Sequence, residues 1–179
     1  MLAKCFPKSF SIPNLRLVKW NAHNGQGMIL NVDGSSVENP EIFGFGWLIW
    51  NDDGAWISGF AGNIGFLNIL HAELLAVYHG LRLVWELGIS NLVCYLDSKS
   101  TIKLISKTDN DLHHYAMFVW NIQELILRDW QVHLLHTLRK GNVCADYIAK
   151  LGAGIHEPFW SIEQLSAGIT LLLLLVGGC

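Results

Sequence analysis

From residue 28 onward the chain switches between two spacings of apolar side chains. Residues 28–32 are a short apolar run that ends at Asp33. Residues 43–50 and 55–62 are two more such runs, joined by Asn51-Asp52-Asp53-Gly54. An Asp-Gly step between strand-like segments is a strong hairpin signal. The period then becomes helical: Leu74, Val77, Tyr78, Leu81, Val84 and Trp85 fall on one stripe of residues 71–87, with Gly88 placed to end the helix. Residues 92–96 predict a buried strand running into Asp97. Helices are expected over 98–107 and 116–129, a strand over 132–137 and a closing helix over 142–151. The order βββ-α-β-α-α-β-α is that of an α/β fold, a mixed sheet with helices packed on it.

The flanks follow other rules. Residues 1–27 hold Pro7, Pro13, Gly25 and Gly27 without periodicity and read as a basic arm or linker. Residues 28–153 form the domain, and 154–179 a hydrophobic C-terminal tail. Its apolar stretch, 167–176, is too short to cross a bilayer comfortably. A core-docked or disordered end is expected, and no membrane partner.

Composition narrows the class. With 179 residues, 51% hydrophobic and 15% charged, one globular domain with a sizeable core is expected and a disordered chain is excluded. The four cysteines make no C-x-x-C pair and no N-x-S/T sequon is present, which argues against a secreted disulfide framework. An intracellular protein, nuclear or cytoplasmic, is the expectation, with an organellar transit peptide in the basic arm as the minority alternative, and a monomer is expected. The net charge of −3 at first disfavours a nucleic-acid partner. Its distribution reverses that, because Lys4, Lys8, Arg16 and Lys19 precede the first acid, Asp33.

Four acids stand out by their settings. Asp33 closes an apolar run and is followed by Gly34, which lets the backbone approach a ligand. Glu73 begins a helix, where a carboxylate is also favoured by the helix dipole alone. Asp97 lies between a strand and a helix, where a cap is expected, although Ser98 can cap in its place. Asp146 sits one turn into the last helix, where a solvated acid is the ordinary case. Singly each is weak. Jointly they lie at ends of elements that a mixed sheet brings to one edge, and converging carboxylates repel unless cations pair them. Paired Mg²⁺ ions on carboxylates imply phosphoryl-transfer chemistry.

Four blocks, 30–36, 72–76, 97–98 and 136–146, carry a resemblance. The chain from about Trp20 to Ala153 resembles a ribonuclease H domain of the plant type related to retrotransposon reverse transcriptases. The resemblance implies a ribonuclease H-like fold with a five-stranded mixed sheet and a βββαβαβα core flanked by helices. It implies a metal-dependent endonuclease that hydrolyses the RNA strand of RNA–DNA hybrids. Asp33, Glu73, Asp97 and Asp146 would hold two Mg²⁺ ions, with Mn²⁺ able to substitute, and His136 would relay a proton or ease product release. Gly34, Ser35, Asn39, Ser98, Lys99 and Lys103 would contact nucleic acid. Asn142 matches a loop residue expected to be structural.

The pattern also departs from the family. Glu38 and Glu41 flank the Asn39-Pro40 pair where glycines are usual, and Ile69 and Leu70 replace polar residues before Glu73. These changes weaken expected binding and keep a second reading open: a transposon-derived nucleic-acid-binding domain of the same fold with weak or absent catalysis. A related 3′–5′ exonuclease would want Asp-x-Glu on the first strand, and Ser35 occupies the Glu position.

Overall fold

β1 (Met28–Val37), β2 (Ile42–Trp50) and β3 (Trp56–Gly65) form an antiparallel meander in the computed structural model of the chain, which describes residues 27–37, 41–107, 114–156, 158–162 and 167–175. α1 (Ile69–Glu86) follows, with the Asn68 side chain accepting a hydrogen bond from the His71 amide as its N-cap. β4 (Asn91–Leu96) then returns parallel to β1, and β5 (Gln131–His136) lies parallel to β4. Between these two strands run α2 (Lys99–Ile105) and α3 (Ala116–Ile126), and α4 (Val143–Gly154) comes after β5. The element order matches the one expected from spacing.

Two differences are instructive. The sheet has six strands, in the order β5-β4-β1-β2-β3-β6, because β6 (Trp160–Ile162) adds antiparallel to β3. Three residues are too few to display a period, so pattern reading stops at five strands. β1 also runs past Asp33 instead of ending there. Gly34, Ser35 and Ser36 are poor strand formers, but antiparallel pairing with β2 carries the strand on to Val37.

Apolar side chains cover both faces of the sheet. One face packs Leu30, Val32, Phe45 and Trp47 under α1 and α3, with Leu74, Val77, Leu81, Val119 and Ile122 filling the layer. The other packs Ile29, Leu48 and Trp50 under Ala145 and Ile148 of α4. α5 (Ala167–Leu175) joins this second layer through fully buried Ile169. Within the described part of the tail, α5 docks onto the core, and no helix among the described residues is long and apolar enough to cross a membrane. Cys94 is a buried free thiol.

Candidate active site

The site forms where β1 outlives its parallel partner. Pairing between β1 and β4 stops at Asn31↔Tyr95, so Asp33 lies two residues beyond the last paired position. Asp97 directly follows Leu96, the end of β4. Both acids therefore emerge at one sheet edge, the place where open α/β sheets present ligand sites. Glu73 reaches the same edge from α1 above, and Gly34 is what lets it. A Cβ at position 34 would lie 2.5 Å from the Glu73 amide nitrogen and 2.8 Å from the Ala72 carbonyl carbon. Only a residue without a side chain lets the start of α1 settle there.

The outcome is a tight triad. Asp33, Glu73 and Asp97 each offer an oxygen, and the three atoms lie within 4.8 Å of one another. Asp33 and Glu73 are buried, with 3% and 7% of their surface exposed. Burial drives the Asp33 carboxyl up to about 9, and the charges of Glu73, Asp97 and Asp146 push in the same direction. Burial likewise raises Glu73 to about 8, helped by Asp97 and opposed by Arg139. Glu73 Oε2 is buried with no hydrogen-bond partner. An orphaned carboxylate oxygen within a cluster of other hard oxygens fits a hard divalent cation. The helix-dipole account of Glu73 fails, since α1 starts at Ile69 and has no acid in its first turn.

Asp146 comes from the opposite face of the sheet. It lies close enough for its charge to raise Asp33, but it stands outside the triad and accepts a hydrogen bond from Lys150 Nζ at 2.6 Å. Its helix is tied to β1 by a buried relay of polar side chains. Trp50 Nε1 donates to Asn31 Oδ1 at 3.1 Å, Asn31 Nδ2 to Asn142 Oδ1 at 3.3 Å, and Asn142 Nδ2 to the Val32 carbonyl at 2.8 Å. Asn142 is thus structural. Because every member is satisfied, the relay fixes the start of α4 rather than loosening the core.

The remaining candidates sort clearly. Ser98 caps α2, accepting from the Thr101 amide at 3.3 Å, which leaves the Asp97 carboxylate free for other partners. His136 is exposed at the end of β5, with Nε2 3.2 Å from the Asp97 carbonyl oxygen. It belongs to the strand end, paired in register with Leu96. A cleft of about 450 Å³ gathers Glu73, Asp97, Ser98, Lys99, His136 and Arg139. A second, of about 930 Å³, includes Gly34, Ser35, Glu41, Arg139, Asp146 and Lys150. Lys103 is exposed one turn after Lys99 on α2 and lines neither cleft. Asn39 lies outside the described residues.

Three contributors escape pattern reading. Arg139 Nε lies 3.6 Å from Asp97 Oδ2 and borders both clefts. Lys150 holds Asp146, and its i,i+4 spacing is the signal that could have found it. Asn31 sits beside the acid motif but reads as an ordinary strand polar residue until its buried partners are seen.

Known proteins agree with this architecture. The family model described as reverse transcriptase-like matches residues 31–152. Over 158 residues the chain is 28% identical to an Arabidopsis thaliana protein provisionally named a ribonuclease H protein. That match covers 88% of this chain and 26% of the Arabidopsis protein, so the chain spans only about a quarter of its relative's length. The N-terminal ribonuclease H domain of a Mycobacterium tuberculosis protein superposes with a TM-score of 0.64 at 22% identity, covering 71% of this chain and 93% of that one. Ribonuclease H1 of Halobacterium salinarum gives 0.61 at 23%, covering 70% and 96%. A compost-derived ribonuclease H1 solved with an RNA/DNA hybrid gives 0.61 at 18%, covering 71% and 96%. The structural likenesses establish a ribonuclease H-like fold, and with the family match spanning most of the chain, this protein belongs to the reverse transcriptase-like family.

Proposed function

We propose that this domain is a metal-dependent endonuclease that hydrolyses the RNA strand of RNA–DNA hybrids, using two Mg²⁺ ions that Mn²⁺ can replace. The observation that carries this reading is the meeting of Asp33, Glu73 and Asp97 from three separate elements within 4.8 Å. Left without a cation, two buried carboxyls held far above their ordinary range are a cost with no structural return. Asp33, Glu73 and Asp97 would hold the ions, with Asp146 as the fourth ligand. When bound, the ions would acidify the attacking water and neutralise charge on the scissile phosphate.

The chain's own groups supply the rest. Glu73, with one oxygen unpartnered, can accept a hydrogen bond from a ribose 2′-hydroxyl, the group that separates RNA from DNA. His136 stands on the cleft wall beside Asp97, where its ring can give a proton to the leaving 3′ oxygen. Lys99, Arg139, Lys140 and Lys150 border the two clefts and offer phosphate contacts along the backbone. The hybrid found in the structure of the compost enzyme supports this choice of substrate.

A labelled RNA–DNA hybrid incubated with Mg²⁺ tests the proposal. Internal cuts in the RNA strand are expected, with duplex DNA left intact. Hybrid binding with no cutting would instead establish the weakly active binding domain. That reading is favoured by Glu41, Leu67 and Ile69, which place a negative charge and two apolar side chains in the larger cleft. His136→Ala is expected to lower kcat about 10- to 100-fold with KM little changed, within the range of one general acid. A steady-state kcat equal to wild type would remove His136 from the mechanism.

A further inference from the structure

We infer that Lys150 is a positioning residue that parks the Asp146 carboxylate off the acid triad and gives it up to a divalent cation. The inference rests on the proposed metal chemistry and adds to it a device that sets how readily the fourth ligand is recruited. Lys150 Nζ lies 2.6 Å from Asp146 Oδ2, one helical turn away on α4, with the two side chains 54% and 33% exposed. Asp33, Glu73 and Asp97 are already gathered, while Asp146 is near the group yet outside it.

The backbone of α4 cannot swing to close that gap. Its start is fastened to β1 by the Asn142 bond to the Val32 carbonyl. Farther along, it lies so close to β2 that a Cβ at Gly44 would fall 2.1 Å from the Ala153 nitrogen. Freedom is therefore left to the Asp146 side chain, and the ammonium of Lys150 decides where that carboxylate rests. A half-exposed ion pair is weak, so a dication held by several oxygens displaces it without a large penalty. Lys150 borders the same cleft as Gly34, Ser35 and Arg139. Once released, its charge is left facing the path of a phosphate.

Isothermal titration calorimetry with Mg²⁺ alone, on the full chain without nucleic acid, tests the inference. Lys150→Gln should bind Mg²⁺ about threefold more tightly, the fold-change expected from removing one competing exposed pair. Lys150→Arg, which keeps the pair, should match wild type. In an Asp146→Asn background the Lys150→Gln effect should vanish, because the two act through one contact. A purely helix-stabilising pair would lower the melting temperature of Lys150→Gln and leave Mg²⁺ affinity unchanged, and that result overturns the inference alone. Wild type failing to bind Mg²⁺ at all would overturn the metal reading and this inference with it.

Discussion

Asp33→Asn is expected to abolish hybrid hydrolysis, by about 10³-fold or more, as removal of a cation-holding oxygen from the reacting centre requires. The same change should stabilise the metal-free protein at neutral and alkaline pH. Burial and neighbouring charge hold the folded Asp33 carboxyl at about 9, far above its value in an unfolded chain. Between those two values the folded state keeps a proton that the unfolded state has lost. Stability from this group is therefore complete below about pH 4 and drains away as pH climbs toward 9. Glu73, raised to about 8, contributes in the same direction. Asparagine cannot ionise and avoids the drain. Relative to wild type, the variant should gain with rising pH, by up to about 1.4 kcal/mol for each unit between pH 4 and 8, and almost nothing at pH 4 itself. Thermal melts in chelator at the two pH values measure the difference. A variant equal to or weaker than wild type at pH 8 would show that Asp33 is not held against its ionisation. Adding Mg²⁺ should raise wild type more than the variant.

Gly44→Ala should be the most damaging small substitution in the sheet. The new methyl would sit 2.1 Å from the Ala153 nitrogen and 2.4 Å from the Ala149 carbonyl oxygen. Both are backbone atoms of α4, so no rotamer change relieves the overlap, and the helix must lift off β2. Forced overpacking of this kind costs about 3 kcal/mol. Because Asp146 travels with α4, hybrid cleavage should fall beyond what partial unfolding explains. Gly154→Ala provides the control, since nothing lies within 4 Å of a Cβ built there. Denaturant titrations of the two variants, with cleavage assayed in parallel, separate the outcomes. A midpoint for Gly44→Ala within error of Gly154→Ala would refute the close-packing account.

Most of the fold is visible in the sequence because its elements announce themselves locally. The stripe from Leu74 to Trp85 is a long helical period, and it became α1. The Asp52-Asp53-Gly54 turn fixed the β2–β3 hairpin. What stayed hidden depends on partners remote in the chain. Ser35 and Ser36 are in β1 only because Gly44 and Phe43 pair with them. β6 exists because β3 offers Gly59, Phe60 and Ala61 an open side. Likewise the four acids could be picked out by motif, but their arrangement as three together and one held apart could not. That division comes from Lys150, from the close seat of α1 on Gly34, and from the asparagine relay beneath α4. Arg139 has the same lesson, as its nearness to Asp97 arises across the β4–β5 pairing and has no counterpart in linear spacing.

The short sixth strand has a practical consequence. Residues 160–162 satisfy backbone amides and carbonyls along the outer margin of β3, a row that would otherwise stand ready to recruit a strand from a neighbouring molecule. Trimming the protein at residue 153, where sequence motifs run out, would strip away that shield. The shortened chain would keep its acids and trade solubility for self-association.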